Sequence, residues 1–285
     1  MSTTKILEAR SISRSLRTQL KEEIQQCHPN KPCLASVLLE ASSDALSYVE
    51  NQEKAAKKIG LHYELISKVN ANEEEVLQCI KELNEDSAIH GIIIQRPIPP
   101  RISFSMLANT LLPEKDVDCI HPYTAGRLFQ SNPLFLPPTP ASVMMILDVY
   151  KIPLEGKDVV MLGRSDVVGK PLSMMMLQKN ATVQICHSHT DDLVFKCKAA
   201  DILIVAVGKP HFVTPQMVHN NSIVIDVGIN FWNGKLVGDA DTESLISRVS
   251  AITPVPGGVG TLTTSILLQN TLKAYRFQAK HNDIV

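Results

Sequence analysis

The sequence predicts an α/β fold in two domains, the second of them built on an open parallel sheet of Rossmann type. Three observations predict it. The chain has 285 residues, and at roughly 150 residues per domain that length suits two cores, although one large domain stays possible. Short β-branched apolar runs alternate with helical patterns, the signature of parallel strands joined by crossover helices. The alternation breaks once, over residues 113–140, and then resumes.

In the first half, residues 11–26 read as an amphipathic helix and "CLASVLLE" as a buried strand. The stretch "ALSYVENQEKAAKKIG" (45–60) reads as a helix carrying Tyr48 and Gln52 on one face, because i and i+4 align. "HYELISKV" follows as a strand, and "NEEEVLQCIKELNED" as a helix whose acidic first turn suits the helix dipole. "IHGIIIQRPIPP" is a β-branched strand stopped by prolines. Residues 113–140, rich in Pro, Asp, Asn and His, read as an irregular linker or functional loop. Beyond them, "KDVVMLG" is a strand, residues 170–179 a helix, and "ATVQICH", "ADILIVAVG" and "SIVIDVGIN" three more strands. The run "TLTTSILLQNTLKAYRFQAKH" reads as an amphipathic helix able to pack back on the first domain.

Composition narrows the function classes. Hydrophobic residues make up 44% and charged residues 20%, values of a soluble enzyme. A formal net charge of −1 gives no electrostatic case for nucleic acid or a membrane surface. The six cysteines lack the close pairing of a zinc or redox site, so six free thiols and no metal are expected. The start has no long apolar segment and no run approaches about 18 apolar residues, which indicates a cytoplasmic protein, though a processed organellar enzyme would read the same way.

Candidate chemistry lies at strand ends. "VVMLGRSDVVGKP" puts Gly163 at the end of a buried strand, then a polar turn, Gly169 and a helix. Helix N-terminal amides there can hold a phosphate, and a plain strand-to-helix turn would look alike. Arg164 suits an added ribose 2′-phosphate, and Ser188 in "CHSHT" could donate to it; both could equally be solvated. "IDVGIN" places Asp226 and Gly228 at a strand's carboxyl end, and "TPVPGGVG" is a loop suited to close ligand approach or to a hinge. In the first half the candidates are Tyr48, Gln52, Gln95, and Asp116 with Asp118, an aspartate being able to accept from the N–H groups of a pterin-like heterocycle. The two aspartates read equally as turn residues.

Taken in order, "YV" opening a helix, "GIIIQ" before prolines, "KDVD", "HP" before "GRL", "GRSDVVGKP", "VIDVGIN" and "ITPVPGGVG" resemble the methylenetetrahydrofolate dehydrogenase/cyclohydrolase family, often called FolD. The resemblance spans about residues 40–272. It implies a folate-binding catalytic domain over 1–140, joined by the C-terminal helix 262–285, and an NAD(P)-binding Rossmann domain over 141–261, with the substrate in the cleft between them. It further implies oxidation of 5,10-methylenetetrahydrofolate, hydrolysis of the methenyl product to 10-formyltetrahydrofolate, NADP as cofactor with NAD possible, and a homodimer. Carried over by motif, Tyr48, Gln52, Gln95 and Asp118 would be catalytic, with Pro256, Gly257 and Gly258 also at the substrate. Gly163, Arg164, Ser165, Ser188 and Ile229 would hold the cofactor.

The departures gather in the folate half. The family's catalytic lysine, four residues after the tyrosine, is Gln52 here, and Lys54 points about 200° round the helix from its neighbour two residues back. The family's Gly-Asp and later Ser are Glu40, Ala41 and Ala45; its "QLP" is Gln95-Arg96-Pro97 and its "KDVDG" ends in Cys119. Pro138 and Ser142 depart from "PCTP-G", and Thr261-Leu262-Thr263 from "PMT". The expectation is a dehydrogenase with weak or absent cyclohydrolase activity. A full bifunctional enzyme rescued by Glu50, Lys54 or Arg96, and a nucleotide-binding protein that no longer turns over folate, are the alternatives.

Overall fold

The computed structural model describes residues 4–27 and 30–282. In chain order its elements are β1 (Lys5–Ile6), α1 (Arg10–Gln25), β2 (Cys33–Leu38), α2 (Ser43–Ile59), β3 (His62–Ser67), α3 (Glu73–Glu85), β4 (Gly91–Ile94), α4 (Phe104–Thr110), α5 (Pro122–Phe129) and α6 (Pro138–Val149). There follow β5 (Asp158–Leu162), α7 (Gly169–Leu177), β6 (Thr182–Cys186), α8 (Leu193–Ala199), β7 (Ile202–Val205), β8 (Ile223–Asp226), β9 (Asn230–Trp232), β10 (Lys235–Val237), α9 (Thr242–Leu245), β11 (Ala251–Ile252) and α10 (Gly260–Asn282).

The chain divides into two compact units, one of residues 15–137 with 264–285, the other of residues 1–14 with 138–263. The start thus differs from the expected division: β1 pairs in parallel with β11, so the first residues belong with the second-half sheet. A two-residue strand carries too little periodicity to be read from sequence. The C-terminal helix falls from residue 264 with the first-half unit, where Asn270 Nδ2 donates to the carbonyls of Val117 (2.9 Å) and Leu136 (2.8 Å). It is buried on most of its circumference as far as Ala274, more than an amphipathic helix would be. Residues 1–3 and 283–285 of the expected division lie outside the described residues.

The first-half unit carries a parallel three-stranded sheet in the order β3-β2-β4. β2 and β4 are buried at every position, as strands covered on both faces must be, and this is why they read as unbroken apolar runs. α2 shows why its sequence folds locally. Ser42 caps it by accepting from Ala45 N–H, Asp44 sits in the first turn, Lys57 and Lys58 in the last, and Gly60 ends it at φ 82°. Its buried stripe is Ala45, Val49, Gln52, Ala56 and Ile59, so a glutamine occupies a core position.

The second unit holds a six-stranded parallel sheet in the order β1-β11-β8-β7-β5-β6, and a β9–β10 hairpin. β5 lies between β6 and β7, so the strand order reverses there and a crevice opens beyond the carboxyl ends of β5 and β7.

Residues 113–140 are not structureless. α5 starts with Pro122 in its first turn, with His121 Nδ1 accepting from Tyr123 N–H, and α6 starts at Pro138. Proline is favoured at a helix's first position because its missing N–H is not needed there, so the prolines that read as breakers are starters. All six cysteines are free and buried. Among the described residues no His, Cys, Asp and Glu cluster could hold a metal, and no helix is long and apolar enough to cross a membrane.

Candidate functional site

In the first-half unit the site is built where β2 and β4 end. Gln95 follows β4 directly, its N–H donating to Val37 O (2.9 Å), which aims its side chain beside β2. From there Gln95 Nε2 donates to Ser36 Oγ (2.9 Å) and to Gln52 Oε1 (2.7 Å). Tyr63 on β3 donates from its hydroxyl to the same Gln52 Oε1 (3.1 Å). Gln52 is 5% exposed, and its buried amide oxygen is satisfied here by neutral partners. Tyr48, one helical turn earlier, is 41% exposed and is not joined to that network. Its phenol titrates above the usual tyrosine range, by partial burial and then by the Asp44 charge.

The two aspartates have different surroundings. Asp116 is fully buried and accepts from Ile120 N–H (3.0 Å), His121 N–H (2.9 Å) and Thr124 Oγ1 (2.5 Å), so it ties the loop to α5. Asp118 is half-buried, and no hydrogen bond to another described residue engages its carboxylate. Burial, then the nearby Asp116 charge, push its pKa to about 7, against the opposing pull of Arg96. Arg96 itself stacks its guanidinium 4.7 Å from the Phe104 ring centre. Cys119 has φ 59°, a backbone region that favours glycine, at the position where the family pattern has one. Lys54 pairs with Glu50 on the exposed side of α2.

In the second unit, Gly163 leaves β5 at φ 114°, and a side chain there would meet Ala206 O at 2.2 Å. A Cβ on Gly169 would lie 2.3 Å from Gly163 O, so both glycines are required for α7 to start this close to β5 and β7. Ser165 Oγ accepts from Val168 N–H (3.2 Å) and Gly169 N–H (3.4 Å), and so caps the helix itself. Arg164 is exposed and has no hydrogen bond or ion pair with another described residue. Because Leu162 pairs with Cys186, Arg164 and Ser188 each lie two residues beyond one register pair, on neighbouring strands. That basic and hydroxyl pair, with no carboxylate at either position, fits a cofactor bearing a ribose phosphate.

Ile229, 42% exposed, packs over Gly260, a Cβ on which would come within 3.0 Å of its Cδ1. Gly257, at φ 113°, accepts at its carbonyl from Ala9 N–H (2.9 Å), while Pro256 is exposed and Gly258 buried. Sequence reasoning missed three groups that shape these sites: Ser36, Tyr63 and Asp239. Asp239 accepts from Val207 N–H (2.6 Å), Gly208 N–H (2.8 Å), Lys209 N–H (3.0 Å) and Asn230 Nδ2 (2.8 Å), and holds the loop after β7. The one available signal was a "GDAD" after a Gly turn, which reads as an ordinary polar turn.

Comparison with known proteins agrees with this geometry in both halves. Residues 7–118 match the catalytic domain of tetrahydrofolate dehydrogenase/cyclohydrolase, and residues 137–279 match its NAD(P)-binding domain. The bifunctional protein FolD of Caldanaerobacter subterraneus is 40% identical over 275 residues, 96% of this chain and 98% of the relative. That of Hydrogenobaculum is 43% identical over 274 residues, 95% and 98% of the two chains. Among solved structures, the Campylobacter jejuni methylenetetrahydrofolate dehydrogenase/cyclohydrolase has a TM-score of 0.93 at 38% identity, covering 96% and 99%. The Trypanosoma brucei enzyme, complexed with NADP and an inhibitor, has a TM-score of 0.93 at 32% identity, covering 98% and 99%. With both domains matched in order and over nearly its full length, the chain belongs to the tetrahydrofolate dehydrogenase/cyclohydrolase family, the FolD enzymes of one-carbon folate metabolism.

Proposed function

We propose that this chain is an NADP-dependent 5,10-methylenetetrahydrofolate dehydrogenase whose cyclohydrolase step is weak or lost. The observation that carries this reading is the Gln52 amide, buried and, among the described residues, bonded only to the neutral side chains of Gln95 and Tyr63. Bound NADP supplies the hydride acceptor. The chain's own residues then have to position the folate and exclude water, the residues proposed for this being Tyr48, Gln52, Gln95 and Asp118 of the first-half unit and Pro256, Gly257 and Gly258 of the second. Positioning of this kind accounts for much of a hydride transfer and needs no exchangeable proton.

Opening the methenyl ring with water does need proton movement, and a carboxamide has no useful proton to exchange at neutral pH. Substitutes are few. Lys54 and Glu50 neutralise each other on the exposed face of the helix. Arg96 is stacked on Phe104, and its guanidinium offers donors and no acceptor. The relatives' bifunctionality favours a second reading, the full dehydrogenase/cyclohydrolase. The two part on one preparation assayed with both substrates: NADP-dependent oxidation of methylenetetrahydrofolate with methenyltetrahydrofolate hydrolysis near background supports the first, and rapid hydrolysis ends it.

On the cofactor side, Arg164, Ser165, Ser188, Gly163 and Ile229 make up the proposed NADP site. Arg164→Ala removes a charge-assisted contact to the 2′-phosphate, which corresponds to a rise in KM for NADP of about 10- to 100-fold with little change for NAD. Equal effects on both cofactors would assign Arg164 no part in phosphate recognition.

On the folate side, Asp118 accepts most strongly from a pterin's N–H groups as a carboxylate, which is acceptor-only and charge-assisted. Its pKa is raised to about 7, so the anion fraction grows as pH rises and folate affinity is expected to strengthen from about pH 6 to about pH 8. Arg96→Leu removes the charge that opposes this shift, and should move the midpoint of a binding-versus-pH curve to higher pH. A flat curve between those limits would mean that Asp118 does not bind folate as an anion. A cytoplasmic homodimer completes the reading, on the strength of the family resemblance.

A further inference from the structure

Tyr63 belongs to none of the motifs that carry the family resemblance, yet its hydroxyl is one of two donors on Gln52 Oε1. β2 and β3 pair with Leu34 opposite Tyr63 and Ser36 opposite Leu65, which puts Ser36 and Tyr63 close enough for their hydroxyls to interact. Gln95 bridges Ser36 to Gln52. Three hydrogen bonds thus link the four side chains in series, Ser36–Gln95–Gln52–Tyr63, and with Ser36 and Tyr63 on neighbouring strands they make a polar ring from three strands' edges and one helix.

The ring has a consequence for the ligand. A carboxamide oxygen accepts at two lone pairs, and on Gln52 both are taken, by Gln95 Nε2 and by Tyr63. Gln52 Nε2 has no hydrogen-bond partner among the described residues, so the amide meets a ligand as a donor. The terminal torsion of a glutamine is soft, and a single contact leaves the amide plane free to swing. A second contact at a separate point holds it. Burial and the nearby Glu53 charge keep the Tyr63 phenol protonated, raised to about 12, so it serves as a fixed donor rather than in proton transfer.

We propose that Tyr63 is a positioning residue: by anchoring Gln52 Oε1 opposite Gln95 it holds the Gln52 N–H group toward the folate, which must offer a hydrogen-bond acceptor there. The proposal rests on the dehydrogenase reading for its substrate but not for its geometry. Tyr63→Phe keeps the ring and its packing while deleting the hydroxyl, and a thermal melt checks that the fold is retained. In the otherwise native chain it is expected to lower dehydrogenase kcat about three- to tenfold, the worth of one hydrogen bond, with a smaller change in KM. In a Gln52→Ala background, where there is no amide to orient, the same substitution should change kcat less than about twofold. Equal losses in both backgrounds, or none in the native one, would overturn the proposal.

A second measurement does not depend on turnover. The Gln52 side-chain amide pair in a 15N-correlated spectrum is identified by its loss in Gln52→Ala, and in Tyr63→Phe it should shift and broaden as the amide loosens. An unmoved, sharp pair overturns the anchor. If the native chain turns out to have no dehydrogenase activity, the reading of function fails and the spectrum alone decides on Tyr63.

Discussion

Gln52→Lys is expected to raise hydrolysis of methenyltetrahydrofolate by about 10²- to 10⁴-fold over the native chain, the usual span for restoring general acid/base help. A lysine at this position has the reach of the glutamine and meets the same polar ring, in which Ser36, Tyr63 and Gln95 can each accept from an ammonium. Burial at this point, 5% exposed for the glutamine, disfavours the charged form and lowers a lysine's pKa, which makes its proton exchangeable near neutral pH. Dehydrogenase turnover should change far less, because hydride transfer draws on alignment. The measurement is the absorbance decay of methenyltetrahydrofolate beside the NADP-dependent reaction, on native and substituted protein. Hydrolysis by the substituted chain that stays at the native level would mean that the loss, if present, lies elsewhere among the departures, with Arg96 and Cys119 the next to revert.

The substituted position was legible in the sequence and its surroundings were not. Spacing alone puts Gln52 one turn from Tyr48, and the stripe Ala45, Val49, Ala56 and Ile59 shows that Gln52 falls on the buried side. A glutamine in such a stripe has to find partners, but which ones depends on the β3-β2-β4 order, and that is a non-local fact. Ser36 and Tyr63 therefore looked like ordinary strand residues. The same limit explains the other misses. β1 and β11 are two residues each and exist through pairing with a neighbour, and α5 and α6 begin at prolines that composition reads as breakers. Of the strands read from the sequence, β2, β4, β5, β7 and β8 are nearly completely buried apolar runs that need no partner to be recognised, while β3 and β6 are more exposed and read through their β-branched and aromatic residues.

Asp239→Ala is expected to cost the second-half unit about 3–5 kcal/mol, the range for leaving several buried donors without an acceptor. Its two carboxylate oxygens take the N–H groups of three successive residues, Val207, Gly208 and Lys209, together with Asn230 Nδ2. Those residues form the turn after β7, on one side of the crevice at the strand-order reversal. Asp239 N–H in turn donates to Asp226 Oδ1 (3.0 Å), and Asp226 also receives Gly228 N–H (2.9 Å) and Ala240 N–H (2.8 Å). No water-accessible substitute can serve three adjacent amides from one point, so the turn must rearrange or lose its bonds. In calorimetry this corresponds to a fall in melting temperature on the order of 10 °C for the affected unit. The neighbouring Asp241 gives the control: its side chain caps α9 through Ser244 N–H (3.4 Å) and otherwise lies 3.9 Å from the part-exposed His211 ring, so Asp241→Ala should cost about 1 kcal/mol. Equal, small effects at both positions would show that the turn after β7 holds its shape without the carboxylate, and that the crevice there does not depend on Asp239.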